Sequence, residues 1–90
     1  MTRKEKVTRV LDGDTFTTSS RKNSIRLANV DTPEKGTLGA AAATQTLRDL
    51  ILGKIVAIDT VARDTYGRSV SNVKVSNRSI NAAMRRKGYK

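Results

Sequence analysis

The first third of the chain alternates apolar and polar positions in the pattern of short β-strands. The alternation runs over Val7–Leu11 and ends at the turn dipeptide Asp12-Gly13, after which Thr15–Thr18 supplies β-branched and aromatic residues. After a polar turn over residues 19–23, a third apolar segment, Ile25–Val30, stops before the only proline, Pro33. The pattern predicts three strands in a meander, with a hairpin joining the first two.

Two later segments have the apolar spacing of helices. Leu38–Leu52 is rich in good helix formers, with Thr37 as the candidate N-cap and Gly53 at the position after the helix. A short last helix is expected to begin at a Ser79 cap and to end at Gly88. The sequence therefore predicts one helix after the meander and one at the end of the chain.

Between the two helices the pattern returns to strands. Lys54–Val61 and Val70–Val75 are β-branched and apolar, and the turn residues Asp64–Gly67 separate them. The order βββαββα, with no internal repeat or linker, predicts a mainly β (α+β) domain over residues 1–90. A five-stranded Greek-key barrel of the OB-fold type with two helices fits this order, and a two-layer α+β sandwich is the alternative.

Composition narrows the chemistry that the domain can perform. The 90 residues include 18 Lys or Arg and 8 Asp or Glu, for a net charge of +10, with no histidine and no cysteine. A Ser-His-Asp triad, a Cys-His dyad, a zinc site of Cys or His ligands and a disulfide framework are all excluded. Catalysis must use carboxylates, Arg, Lys, hydroxyls or Tyr, and a metal must be a hard cation such as Ca²⁺ or Mg²⁺. The charge favours a polyanionic partner.

No segment has the length of a membrane span. The longest apolar stretches, such as Ile55–Ile58, are far shorter than the ~20 residues a span requires. Residues 1–6 are basic but are not followed by the apolar region of a secretory signal peptide. We therefore expect no membrane association and a cytoplasmic monomer for the chain as given, or a secreted one if a signal peptide has been removed.

The few acidic residues are concentrated near predicted strand ends. Asp12, Asp14, Asp31 and Glu34 fall within 23 consecutive residues. The first two have an ordinary interpretation as hairpin-turn residues and the last two as residues of a solvated loop. Pro33 changes the second case, because its ring stiffens the segment and can hold two carboxylates at a fixed separation. A metal ligand and a general base both need such placement.

The spacing of Arg26 and Asp31 requires a bend in the backbone. On a flat strand, residues five apart point to opposite faces and lie about 17 Å apart. The chain is therefore expected to curl or bulge there. Taken alone, Arg26 is interpreted as an arginine of the surface or barrel end, and Arg68 as a charged residue after a turn.

Three segments together resemble the staphylococcal nuclease (thermonuclease) family: Val10–Thr15, Ile25–Glu34 and Asp64–Arg68. They occur in the family's order, and the resemblance extends from about Val7 to Gly88. It implies an OB barrel with helices packed on it, and Ca²⁺-dependent endonuclease hydrolysis of DNA and RNA phosphodiesters with little sequence specificity.

The resemblance also implies a role for each matching position. Asp14 and Asp31 would ligate Ca²⁺ through their carboxylates and Thr32 through its backbone carbonyl. Arg26 and Arg68 would bind the phosphate, and Glu34 would activate or position the attacking water. Independent chemistry agrees, because guanidinium forks match phosphate geometry and stabilise charge that builds up in the transition state.

The chain also departs from the family pattern. Only residues 35–37 separate Glu34 from the predicted helix, Thr65 stands where the staphylococcal enzyme has a basic residue, and the family's C-terminal helix and nucleotide-contacting tyrosines do not appear before Lys90. Tyr66 is the best remaining candidate for contact with the substrate, and a tyrosine packed on the barrel rim is the alternative. Binding should then depend on backbone phosphates, with single strands preferred and a steep fall with salt.

Two other classes of protein share parts of this pattern. A non-catalytic OB-fold module that binds nucleic acid needs a basic surface but no set of carboxylates. A basic ribosomal or architectural protein would explain the charge and leave the three segments as coincidence.

Overall fold

The computed structural model describes residues 2–90, so Met1, the first residue of the predicted domain, lies outside the described residues. Residues 2–90 form six strands and two helices in the order βββαβββα. The strands are β1 (Thr2–Asp12), β2 (Thr15–Thr18), β3 (Ile25–Leu27), β4 (Ile55–Arg63), β5 (Ser69–Val75) and β6 (Arg78–Ser79), and the helices are α1 (Ala40–Ile51) and α2 (Ile80–Arg86).

Five of the strands close into a barrel. The sheet order is β3-β2-β1-β4-β5, and a parallel pairing of β3 with β5 joins its two edges, with Ile25 opposite Ser69 and Leu27 opposite Ser71. The closure confirms the predicted five-stranded OB-type barrel and rules out the open two-layer sandwich. The two-residue β6, which was not predicted, adds only a short hairpin on β5.

Strand β1 is longer than the hydrophobic pattern indicated. It begins at Thr2, and its first half pairs with β4, from Thr2 opposite Asp59 to Lys6 opposite Ile55. Its second half pairs with β2, and register shifts on either side of the Arg9–Val10 pairs bend the ladder. One bent strand thus belongs to both sides of the barrel, which is how a short chain closes it.

Helix α1 begins later than the pattern predicted, whereas α2 begins at its predicted cap. The N-cap of α1 is Gly39, with φ 87°, instead of the predicted Thr37, and Leu38 lies outside the helix and is 99% exposed. The predicted caps at the other ends are confirmed: Gly53 has φ 77°, and the Ser79 hydroxyl accepts the Ala82 N–H at 3.1 Å. Neither helix is long and apolar enough to cross a membrane.

The core lies inside the barrel and under both helices. The apolar faces of α1 and α2 complete it from the outside, and Phe16 is its one aromatic side chain. Its fully buried members are Val7, Phe16, Ile25, Leu27, Val30, Leu47, Ile51, Val56, Ile58, Val73, Ile80 and Met84.

A buried asparagine fixes α2 against the barrel. The side-chain amide of Asn81 donates to the carbonyls of Ala28 at 2.8 Å and Ser71 at 3.0 Å, and its oxygen accepts the Val73 N–H at 2.8 Å. These bonds satisfy backbone groups of β5 and of the segment that leaves β3. That segment leads directly to Asp31, so Asn81 helps to position the backbone that carries Asp31.

Candidate active site

A polar cleft of about 270 Å³ lies where the β1–β2 turn, the segment after β3 and the start of β5 meet. Six residues that the resemblance singled out line this one cleft, although they come from three separate parts of the sequence. The lining residues are Asp12, Asp14, Arg26, Asp31, Thr32, Pro33, Glu34, Lys35 and Arg68.

The β1–β2 turn presents two neighbouring carboxylates to the cleft. Asp12 pairs with Thr15 across the turn, which confirms the predicted hairpin. The Asp12 carboxylate accepts the Asp14 N–H at 3.0 Å, and the Asp14 carboxylate accepts the Thr15 hydroxyl at 2.8 Å. Asp12 therefore acts both as a turn residue and as a wall of the cleft.

The pKa values of the two carboxyl groups are shifted in opposite directions. Burial, followed by the hydrogen bond and the charge of Asp12, raises the pKa of Asp14 to about 6, against the opposing effects of Thr15 and Arg26. Burial also acts to raise the pKa of Asp12, but hydrogen bonds with Asp14 and Thr15 and the charge of Arg68 hold it below its ordinary value. Such a concentration of negative charge favours a bound cation.

The backbone bends between β3 and Asp31, as predicted, and the Arg26 side chain lies against this bend. The strand ends at Leu27, and Asn29, with φ 58°, reverses the chain, so the bend is a turn and not a bulge within the strand. The Arg26 guanidinium donates to the carbonyls of Leu27 at 2.9 Å and Val30 at 3.0 Å. It also lies 3.4 Å from the Asp14 carboxylate.

The turn before β5 holds Arg68 in place. The Asp64 carboxylate accepts the backbone N–H groups of Tyr66 at 3.0 Å and Arg68 at 2.9 Å, and its second oxygen accepts from Arg68 Nε. A guanidinium nitrogen of Arg68 lies 3.5 Å from the Thr15 hydroxyl. Its fork is therefore oriented toward the cleft before any substrate arrives.

Tyr66 lies outside the cleft, on the same turn. The centre of its ring is 5.3 Å from the guanidinium carbon of Arg68, and the residue is 82% exposed. Its exposed ring is available to a ligand that leaves the cleft over the turn.

The segment that carries Asp31, Thr32 and Glu34 packs closely on the hairpin. A Cβ added to Gly13 would lie 2.9 Å from the Thr32 methyl carbon and 2.7 Å from the Ala43 Cβ, so this approach requires glycine. Beyond Glu34, the Thr37 N–H and hydroxyl both donate to the Glu34 carbonyl, at 2.9 and 2.5 Å. The connection to α1 runs over residues 35–39 and is longer than the predicted 35–37.

The donor atoms of the cleft suit a hard cation. Carboxylates and a backbone carbonyl are the ligands that Ca²⁺ prefers, and Asp14, Asp31 and Thr32 bring both kinds to one cleft. Within residues 2–90, however, no three acidic side chains are arranged to share one ion. These residues therefore fit a hard-cation site that would take the rest of its ligands from outside the protein.

Sequence reasoning missed three contributors to the cleft. Asp12 and Asp64 belong to the family segments but were given no role beyond the turn, and Lys35 was given none beyond the connection to α1. The position of Asp64 at the head of a tight turn was a readable signal, because an Asp there accepts backbone N–H groups a few residues later. No sequence signal pointed to Lys35.

A closed OB barrel with carboxylates and arginines gathered at one cleft defines the class of this protein, and comparisons with known proteins give the family. The family model described as Staphylococcal nuclease homologue matches residues 24–90. An uncharacterized endonuclease of Escherichia coli O157:H7 is 39% identical over 70 residues, which cover 76% of this chain and 46% of the relative. The chain belongs to the staphylococcal nuclease family.

Two further relatives show the same partial coverage. An uncharacterized endonuclease of Haemophilus influenzae is 33% identical over 86 residues, covering 92% of this chain and 48% of that protein. The micrococcal nuclease of Shigella flexneri is 38% identical over 69 residues, covering 74% of this chain and 40% of that protein. The chain thus spans about half the length of the curated relatives it matches.

Proposed function

We propose that this chain is the catalytic domain of a Ca²⁺-dependent endonuclease that hydrolyses DNA and RNA phosphodiesters with little sequence specificity and prefers single strands. One observation carries the proposal: Asp14, Arg26, Asp31, Glu34 and Arg68 line the same cleft. Four acids line this cleft, and a module that only binds a polyanion has no use for them at its binding site, because they repel phosphate.

The two arginines would bind the phosphate that is attacked. Each guanidinium is already fixed, Arg26 by the Leu27 and Val30 carbonyls and Arg68 by Asp64. Such preorganised donors stabilise the charge that develops on the phosphate oxygens without reorganising during the reaction. In other phosphoryl-transfer enzymes a single arginine is worth roughly 10³- to 10⁵-fold in rate.

Glu34 would take a proton from the attacking water or orient that water. It is exposed on the wall of the cleft, and the turn closed by Thr37 fixes its backbone. In a chain without histidine, a carboxylate in this position is the best base, and such assistance contributes typically ~10²- to 10⁴-fold.

Ca²⁺ would be held by the Asp14 and Asp31 carboxylates and the Thr32 carbonyl, and when bound it supplies positive charge against the reacting phosphate. With so few protein ligands, we expect weak binding of Ca²⁺ alone and tighter binding when a nucleotide bisphosphate is present. Isothermal calorimetry tests this coupling, and equal Ca²⁺ affinity with and without the nucleotide would contradict it.

The proposed activity is tested by degradation of single-stranded DNA with Ca²⁺ and with EDTA. The wild type should cut only with Ca²⁺, and Arg68→Ala should lose most of the activity. Arg48→Ala, which removes an exposed arginine of α1 that does not line the cleft, is the matched control and should cut normally. A wild type that binds the strand but never cuts it would favour the binding-module alternative.

A further inference from the structure

A second and larger cleft, of about 500 Å³, opens at the end of the barrel where β2 and β4 end and β5 begins. We call it the basic cleft; the residues that define it here are Arg3, Glu5, Arg21, Lys22, Arg63 and Ser69. Of the described residues that line it, four are cationic and Glu5 is the only acid. Cations gathered in one concavity repel each other and attract an anion.

One of these cations is rigidly held at the floor of the basic cleft. The Arg21 guanidinium donates from Nε and Nη2 to the buried Glu5 carboxylate, at 2.7 to 2.9 Å, and from Nη1 to the Ser69 hydroxyl at 3.1 Å. The Thr18 hydroxyl donates to the same carboxylate at 2.6 Å. A buried acid that fixes an arginine in this way prepares it to bind a ligand.

Arg21 retains the capacity to bind an anion. A guanidinium has five N–H donors, and the bonds to Glu5 and Ser69 engage three of them. Two N–H groups therefore have no partner among residues 2–90, while the side chain remains 19% exposed. A planar pair of donors of this kind matches a phosphate.

The basic cleft and the candidate active site lie on either side of the turn before β5, over residues 64–68. Arg68 lines the polar cleft of the candidate active site, which we call the active-site cleft, and the next residue, Ser69, lines the basic cleft. Arg63, which lines the basic cleft, donates from Nη1 to the Gly67 carbonyl at 3.4 Å, so the turn contacts a residue of the basic cleft. The exposed ring of Tyr66 lies on this turn.

We propose that the basic cleft is a second phosphate-binding site, which holds a backbone phosphate of the same nucleic-acid strand whose scissile phosphate lies at Arg26 and Arg68. Arg21 is its fixed donor, Arg3, Lys22 and Arg63 supply the surrounding charge, and the strand crosses the turn beside Tyr66. This inference rests on the proposed function, because it requires nucleic acid as the ligand. The basic cleft therefore helps to determine the length of strand that the domain binds.

The test compares two triple variants of equal charge. Arg3→Gln, Lys22→Gln and Arg63→Gln together remove three exposed cations from the basic cleft. Lys54→Gln, Arg78→Gln and Lys87→Gln remove three exposed cations that line neither cleft. Fluorescence anisotropy in EDTA then measures the binding of a labelled oligothymidylate of about 12 nucleotides, a length one OB fold can cover, and of a dinucleotide.

The basic-cleft triple should bind the long strand more weakly than the control triple, and this deficit should shrink with the dinucleotide. The proposed site neutralises one backbone phosphate, so its loss should also reduce the slope of log affinity against log salt by about 0.7, the value per phosphate for single strands. Equal affinities of the two triples, at both lengths, would overturn the second site. If the wild type cleaves DNA in that case, only this inference fails; a wild type that neither binds nor cleaves overturns the proposed function as well.

A third variant tests the part played by Arg21 itself. Arg21→Lys keeps the charge that balances Glu5 but loses the planar fork. It should remain folded in urea titrations and bind the long strand more weakly than the wild type. Wild-type affinity would contradict the assignment of Arg21 as the fixed phosphate donor.

Discussion

Arg26 and Asp14 form an ion pair of 3.4 Å across the base of the active-site cleft. The same guanidinium donates to the carbonyls of Leu27 and Val30, on either side of the turn at Asn29. The side chain that the family resemblance assigns to phosphate thus also stabilises the turn that leads to Asp31. One side chain therefore links the fold of this turn to the proposed phosphate site.

Arg26→Lys should therefore reduce both stability and activity. Lysine cannot span the two carbonyls and Asp14 together, so the free energy of unfolding should fall by about 1 to 2 kcal/mol. The rate of DNA cleavage, measured where the variant is fully folded, should fall as well, because lysine lacks the planar guanidinium that can donate two hydrogen bonds to the phosphate. Arg48→Lys on the exposed face of α1 is the control for urea denaturation and activity. If Arg26→Lys were as stable as the wild type, the contacts of Arg26 with the Leu27 and Val30 carbonyls would contribute nothing to stability.

The features that the sequence predicted correctly are those set by a few adjacent residues. Asp12-Gly13 specifies the hairpin turn, and Ser79 caps α2 with its own hydroxyl. The three family segments then led to six residues of the active-site cleft, although nothing in their spacing showed that they would meet. Their convergence depends on the closure of the barrel by β3 and β5.

The features that were missed depend on contacts that the hydrophobic pattern does not show. Residues 3–6 look like a solvated charged segment, yet they belong to β1 because Glu5 faces inward and meets Arg21, 16 residues away. The start of α1 was misplaced because the Thr37 hydroxyl bonds the Glu34 carbonyl and leaves capping to Gly39. In the first case a contact with a distant residue overrode the local preference, and in the second a competing local hydrogen bond did so.

Gly13→Ala should disturb the active-site cleft through steric contact alone. The new Cβ would lie 2.7 Å from the Ala43 Cβ and 2.9 Å from the Thr32 methyl carbon, so α1 or the Thr32 segment must shift. Overpacking of this kind costs about 1 to 3 kcal/mol. We expect a loss of stability in urea titrations and a loss of nuclease activity.

A second substitution shows whether the contact with Ala43 is the cause. Ala43→Gly alone should cost about 1 kcal/mol as a helix glycine. Combined with Gly13→Ala it should relieve part of the overlap, so the double variant should be more stable than the sum of the two single effects. Simple additivity would place the clash elsewhere.

Stability should fall in acid partly through the pair of Glu5 and Arg21. The hydrogen bond from Arg21 lowers the pKa of Glu5 from its ordinary value of 4.5, with help from Thr18 and nearby positive charge and against the effect of burial. A carboxyl with a lowered pKa in the folded state stabilises fully above its ordinary pKa. That contribution is lost as the pH falls from there through the folded value.

Glu5→Gln should remove this part of the pH dependence. The variant should be less stable than the wild type at neutral pH, and the gap should narrow as the pH falls below about 4.5. Urea titrations over a pH series measure the gap, with Asp49→Asn, an exposed acid of α1, as the control. A gap that stays constant over the whole series would show that Glu5 keeps its ordinary pKa in the folded protein.

The most direct test of the proposed chemistry is single-turnover cleavage of a single-stranded DNA oligonucleotide by wild type and Glu34→Gln at saturating Ca²⁺. The exposed position of Glu34 makes it unlike the buried side chains that support the fold, so the substitution isolates its chemical role. We expect the wild type to cleave and Glu34→Gln to be slower by about 10²- to 10⁴-fold. The account would be contradicted if the wild type bound the strand but failed to cleave it at every Ca²⁺ concentration and pH tested. It would also be contradicted if Glu34→Gln cleaved at the wild-type rate.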